Sequence, residues 1–276
     1  MQQFGEKRKP LGISIVDLTS SGARADAVYR NESRAGAEFL IRTVSEPLDW
    51  DWDGVEELAR CVVFDYEKTD EGNIKEKLTT LRGAYSGLFL GEIKTVSHAE
   101  RFNSDSCITL DEVFDAFYVH TDSHVFSSLF EKMLSDLMIR RSLIGIDFCD
   151  IRELLEGAGE IKLLSNSCVG PNRVNEAFNF LANELNNIDE VKRLFITAEA
   201  EAFNPVELPL AFKSLGPIEG STVMACYVDR KLTSDKLQLT GYYSVNEKAH
   251  STDDEFSYLL PTVKPTSLPI FKSSKS

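Results

Sequence analysis

Residues 144–154 read IGIDFCDIREL, and their place in the chain decides the fold. They follow directly on the strongest helical signal in the sequence. Val125, Phe126, Leu129, Phe130, Met133, Leu134, Leu137 and Met138 recur at helical spacing and give a wide apolar stripe over residues 122–141. Such a stripe marks a core helix packed on both sides and carries no function by itself. Asp147 and Asp150 stand three residues apart just beyond it. A D-x-x-D pair alone says nothing; what gives it meaning is its position between a long helix and a second structured region.

Outward from this segment the chain divides in two. Upstream, residues 11–16 (LGISIV), 37–44 (AEFLIRTV), 61–66 (CVVFDY) and 88–96 (LFLGEIKTV) read as strands. Helical stretches at about 22–31, 50–59 and 74–81 separate them, the second of these acidic. Strands alternating with helices imply right-handed crossovers and a parallel sheet, a Rossmann-like α/β half. Residues 97–110 are polar and irregular. Downstream, 161–167 and 191–197 read as strands, and a helix runs from Gly170-Pro171 to about 186. A further helix over 205–215 is stopped by Gly216-Pro217, and the β-rich runs 221–229 and 236–243 read as a hairpin. From His250 onward Ser, Thr, Pro and Lys dominate, and such a tail buries too little apolar surface to order itself. The expected organisation is an α/β domain (1–121), a central helix (122–142), a smaller α+β domain (143–247) and a flexible tail (248–276).

Composition excludes several function classes. The net charge of -14 repels duplex nucleic acid and anionic membranes, and no Lys/Arg cluster offsets it. No apolar run approaches the roughly 20 residues of a membrane span, and MQQFGEKRKP lacks the apolar stretch of a leader. Neither nucleic-acid binding nor membrane insertion is expected, and a cytoplasmic protein is. Cys61, Cys107, Cys149, Cys168 and Cys226 form no C-x-x-C pair, so free thiols and no structural metal are expected.

The segment 144–154 resembles the catalytic loop of the FtsZ family, N-x-D-F-x-D-[VI]-R. Asp147, Phe148, Asp150, Ile151 and Arg152 match, and Gly145 stands where the family has Asn. Asp115-Ala116-Phe117 resembles the family's D-A-F segment, whose Phe packs on guanine. AGAEFL (35–40) resembles G-V-E-F-F, and LFITAEAEAFNPVELPLAF (194–212) occupies the place of V-N-I-T-A-G-x-D-L-x-L-x-E. The resemblance covers residues 11–245 and is stronger after 110. It implies a tubulin-like fold in which subunits stack head to tail. The catalytic loop of one subunit then inserts over the nucleotide of the next. By resemblance Asp147 and Asp150 would polarise and position the attacking water on a neighbour's nucleotide, and Gly145, Phe148 and Arg152 would touch that neighbour.

The opposite surface departs from the family. Phosphate binding needs closely approachable backbone N–H groups, hence glycines. Where the family has G-G-G-T-G-T-G this chain has Glu67-Lys68-Thr69-Asp70-Glu71-Gly72-Asn73, and the first loop is DLTSSGAR (17–24). Carboxylates beside a triphosphate in a partly desolvated pocket cost on the order of several kcal/mol. The family's N-T-D is Thr43-Val44-Ser45, and its guanine-reading Asn is Thr121. A degenerate pocket is therefore expected near Ser21, Gly22, Gly72, Phe117 and Thr121. No cofactor is expected, with GTP as the alternative.

His120 and His124 would share a helix face if that stretch were helical, but without a metalloprotease Glu the pair reads as polar helix-entry residues. Leu268, Pro269, Ile270 and Phe271 resemble the D-I-P-A-F-L-R peptide with which the family binds membrane tethers and ring regulators. The expected function is a pseudo-GTPase that binds or caps filaments of FtsZ or another tubulin-like protein, at the division site, its tail engaging a division protein. It would not be an enzyme on its own. The alternatives are a divergent GTPase forming its own filaments and a non-enzymatic adaptor.

Overall fold

The computed structural model describes residues 9–19, 27–32, 38–44, 54–65, 71–83, 85–94, 110–120, 128–188, 190–204, 207–213, 215 and 220–245. Two sheets flank a central helix. The first sheet contains β1 (Leu11–Asp17), β2 (Ala27–Glu32), β3 (Glu38–Val44), β4 (Glu56–Asp65), β5 (Leu88–Lys94), β6 (Ala116–His120) and β7 (Gly159–Glu160). Its order is β2-β3-β1-β4-β5-β6-β7. β3, β1, β4, β5, β6 and β7 run parallel, whereas β2 pairs antiparallel on the outer edge of β3. β1, β4 and β5 are buried over most of their length on both faces, and their buried positions are largely apolar. α1 (Glu71–Gly83) and α2 (Leu110–Val113) cover one face with the cluster of Phe64, Leu78, Phe89 and Phe114. The central helix α3 (Leu129–Ile139) covers the other.

The second sheet holds β8 (Lys162–Val169), β9 (Arg193–Ala200), β10 (Ser221–Val228) and β11 (Lys236–Ser244), in the order β10-β9-β11-β8. α5 (Arg173–Asn186) and α6 (Glu207–Lys213) pack on one face through Phe178, Leu181 and Leu208. The other face meets α3 and α4 (Phe148–Leu155) through Phe195, Ala225, Tyr227 and Tyr242. One apolar cluster thus runs from Ile15 and Leu90 through Phe130, Leu134 and Ile151 to Phe195, so α3 is buried between the halves as its stripe requires.

Several elements differ from expectation. The stretch expected to be helical at 22–31 contains β2, an antiparallel edge strand paired with β3. Residues 56–59 are strand rather than the end of an acidic helix. Glu57 there grips the buried Arg60 through two bonds of 3.1 and 2.8 Å, so its charge is matched inside the fold instead of facing solvent. The central helix begins at Leu129, not 122: Ser128 has extended backbone and caps it by accepting from the Glu131 N–H at 3.0 Å. Val125, Phe126 and His124 lie outside the described residues, and His120 is in strand β6, not on a helix face. The expected hairpin does not form. β10 pairs parallel with β9, and β9 lies between β10 and β11 because their apolar faces are completed by a shared neighbour. The tail, with Leu268, Pro269, Ile270 and Phe271, lies outside the described residues.

Candidate functional site

Segment 142–147 is pinned before α4 begins. The Ser142 hydroxyl accepts from the Cys226 N–H at 3.0 Å and from the Ile144 N–H at 3.2 Å, and the Leu143 N–H donates to the Cys226 carbonyl at 2.8 Å. Ile146 is buried, as are Ile151, Leu154 and Leu155 on the inner face of α4. Between these anchors the acidic end stays outside. Asp147 is exposed and is the N-cap of α4. Its Oδ1 accepts from the Cys149 N–H (2.8 Å) and the Asp150 N–H (3.2 Å), and Asp150 Oδ2 accepts from the Asp147 N–H at 2.7 Å. This reciprocal capping box satisfies helix donors that would otherwise be orphaned. Each carboxylate makes these bonds through one oxygen, so two negative groups are held side by side in fixed orientation at the surface.

The neighbouring expected contacts divide. Arg152 is exposed and pairs with Glu156 at 3.2 Å, while Phe148 is half-buried against the core. A Cβ built on Gly145 meets nothing within 4 Å, so the family's Asn would fit there. Arg193 gave no sequence signal yet fixes the other end of α4. Buried at the start of β9, it donates to the carbonyls of Glu153 (3.3 Å), Leu154 (3.2 Å) and Glu156 (2.5 Å). These are C-terminal acceptors, where a cation is favoured by the helix dipole.

The far end of the first sheet is different. α3 runs from the C-terminal ends of β5 and β6 back toward the edge where β6 starts. There, just after α4, β7 pairs with Ala116. The acidic end and the C-terminal strand ends therefore lie on opposite edges, the latter being the usual place for ligands in parallel sheets. The described residues at those ends include Asp17 of β1 and Asp65 of β4. Asp17 is buried and accepts from the Thr19 hydroxyl (2.6 Å) and N–H (3.0 Å). Thr43 and Val44 are buried in β3. Gly72 lies in the first turn of α1, so it is part of a helix rather than of a glycine loop. Ser21, Gly22 and Thr121 lie outside the described residues.

Phe117 needs correction. Its expected place is a pocket where it would pack on guanine; instead Ala116 and Phe117 open β6, and Phe117 is buried with Val119 and Phe114 in the core. Asp115 closes the opposite edge of the sheet by pairing with Arg82 through two bonds of 3.0 Å and accepting from the Phe89 N–H at 2.7 Å. Three letters that match a motif here serve the sheet.

Between the two edges, Glu92 anchors α3. It is fully buried in β5 and accepts from the Ser128 hydroxyl (2.5 Å) and the Phe130 N–H (2.8 Å), with His120 Nε2 at 3.0 Å. Farther along, Arg140 pairs with Asp136 (3.3 Å) and Glu199 (3.1 Å) and lies 4.5 Å over the Tyr227 ring, tying α3 to the second sheet. Burial disfavours its charge, but Glu199 and Asp136 outweigh that and its pKa is raised. A cleft of about 340 Å³ opens beside this contact, lined by His120, Lys132, Glu199 and Tyr242 among others. No group of metal-ligating side chains occurs among the described residues, and no described helix is long and apolar enough to cross a membrane.

No protein-family model matches the sequence, and no curated protein matches it. Solved structures do. An empty FtsZ dimer from M. jannaschii superposes with a TM-score of 0.50 at 14% identity, over 68% of this chain and 64% of that one. A GTPγS-bound protofilament of CetZ2 from Haloferax volcanii gives 0.50 at 12% identity, over 70% and 67%. The chain thus spans about two thirds of the length of these relatives. Parallel sheet, buried central helix and second sheet together are the FtsZ/tubulin-like fold.

Proposed function

We propose that this chain is a pseudo-GTPase of the tubulin-like fold that docks its acidic end on a filament of FtsZ or another tubulin-like protein and caps or modulates it. One observation carries the reading. The Asp147–Asp150 pair is rigidly presented at one edge, while the strand ends at the opposite edge carry Asp17 and Asp65 and the following sequence adds Glu67 and Asp70. A triphosphate there would meet like charge with a single glycine, Gly72, between 67 and 73, and that one is helical. Such a subunit offers its loop to a neighbour's nucleotide but holds none itself, so it ends a stack. On this reading it is cytoplasmic, acts at the division site, and hydrolyses no GTP alone; Leu268–Phe271 of the tail supply a second, partner-binding contact.

The test is to mix the chain with FtsZ at equimolar concentration and follow light scattering and phosphate release. Shortened filaments or altered turnover support the proposal; unchanged traces in both refute it. Titration with a fluorescent guanine nucleotide separates it from a divergent GTPase, which would bind with micromolar or tighter affinity.

A further inference from the structure

β8 is an edge strand of the second sheet, and no strand among the described residues pairs with its outer side. Natural edges are blunted by shortness, charge, proline or bulges. β8 is eight residues long, and from Leu163 to Val169 (LLSNSCV) it has neither a charged residue nor a proline. That neutrality stands out in a chain of net charge -14. The bond from the Gly170 N–H to the Asp235 carbonyl (2.8 Å) sets the phase of the β8–β11 ladder. Even-numbered β8 residues bond β11, and odd-numbered ones turn N–H and C=O outward.

The side chains of those odd residues show a pattern. Leu163 and Val169 are two of the four exposed large apolar residues among those described, at 37% and 60% exposure. They share one face of the strand and lie three residues before and three after Asn166. We propose that β8 pairs antiparallel with β8 of a second copy, about a two-fold axis through Asn166. This register places Leu163 against Val169 of the second copy and Ser165 against its Ser167. Every outward-facing N–H and C=O from 163 to 169 then gains a partner. Lys162 falls opposite Gly170, not opposite another lysine, so no like charges meet across the axis. An isologous contact needs this kind of self-complementarity.

One feature opposes the pairing and makes it reversible. Asn166 Oδ1 accepts from the Ser167 N–H at 2.7 Å and must release it for the ladder to form. A seven-residue strand pair is also small against the roughly 800 Å² per partner of a stable interface. The expected association is therefore in the micromolar range.

Sedimentation velocity from about 1 to 100 µM brackets that range. The wild-type chain should pass from monomer to dimer, and Val169→Lys should raise the dissociation constant at least about tenfold by setting an ammonium against Leu163 of the second copy. Lysine lowers the overall negative charge, so general repulsion cannot mimic this loss. Asn166→Cys tests the register separately. Residue 166 faces itself in a non-hydrogen-bonded pair, about 4.5 Å between Cα atoms, within disulfide reach. Under mild oxidation a disulfide joining the two copies of residue 166, identified by peptide mass, is expected. A wild-type chain that stays monomeric, a dimer indifferent to Val169→Lys, or an Asn166→Cys dimer that does not cross-link at position 166 would each overturn the proposal.

Discussion

Asp147 has two roles assigned to it, and one substitution separates them. As an N-cap it needs only a side-chain oxygen that accepts from the Cys149 and Asp150 N–H groups at 2.8 and 3.2 Å. As a group acting on a neighbour's nucleotide it needs a carboxylate. Asn caps a helix about as well as Asp, so Asp147→Asn should keep α4. The loss is confined to the interaction of charge with the helix dipole, about 0.3–1 kcal/mol at an exposed end. Asp147→Ala also removes the cap, and Asp150 keeps only its own half of the reciprocal box. Cap deletion costs about 0.5–2 kcal/mol, so Asp147→Ala should cost roughly 1–2 kcal/mol in all. Urea unfolding followed by circular dichroism measures both, and m should not change between variants. The functional readout is FtsZ turnover in the presence of each variant. Asp147→Asn should fold like wild type and lose its effect on turnover. If it keeps that effect, the carboxylate is not the acting group. If Asp147→Ala is as stable as wild type, the capping account of the pair is wrong.

Other outcomes follow from the same structure. Glu92→Ala leaves the Ser128 hydroxyl, the Phe130 N–H and His120 facing an empty site, and should cost about 3–5 kcal/mol in urea unfolding; a loss under about 1 kcal/mol would refute its anchoring role. All three carbonyls accept from the single Nη1 of Arg193, a position that the shorter lysine side chain does not reproduce, so Arg193→Lys should cost about 1–3 kcal/mol, with faster amide exchange at the end of α4. Burial pushes the Cys226 thiol up to about 12. The unfolded thiol ionises at about 8.5 and the folded one only at higher pH, so its contribution is whole below the unfolded value and is lost as pH rises toward the folded pKa. Between about pH 8 and 10 this amounts to about 1–2 kcal/mol, and Cys226→Ala should show a correspondingly shallower decline; parallel declines would contradict it. Gly145→Asn fills open space and should leave stability within about 0.5 kcal/mol while bringing the loop closer to the family pattern.

The sequence showed most clearly those elements whose periodicity comes from burial on a fixed side. The stripe from Leu129 to Met138 is α3, and the apolar runs read at 11–16, 61–66 and 88–96 fall on β1, β4 and β5, inner strands of the first sheet. Elements set by their neighbours carry no such signal. β2 is short, polar and on an edge, so nothing in its own residues distinguishes it from a helix or loop. β10 and β11 look like a hairpin because they are successive strands with a polar turn, but partner choice depends on β9, which sequence adjacency does not reveal. At the site, Asp147 and Asp150 were visible because they are close in sequence. Arg193 was not, since its acceptors lie 37 to 40 residues away. Asp115-Ala116-Phe117 misled for the opposite reason. Three residues are too few to fix a register, and burial assigned Phe117 to the sheet.

The two edges rest on different supports. The acidic edge rests on Ser142 bonded to β10, on Arg193 of β9, and on Ile146, Ile151, Leu154 and Leu155 in the cluster shared with α3. None of these supports comes from the segments that follow β1, β3, β4, β5 and β6. A phosphate-binding edge is made of such segments, whose sequence is free to vary as long as the strands beneath remain packed. The first sheet closes its other edge with Arg82–Asp115 and Arg60–Glu57 and hands its load to α3 through Glu92. The described bonds that fix Asp147 and Asp150 involve none of the residues at the C-terminal ends of β1 and β4. The edge that presents Asp147 and Asp150 is thus held by the second sheet and the core, through bonds that the described C-terminal strand ends of the first sheet do not supply.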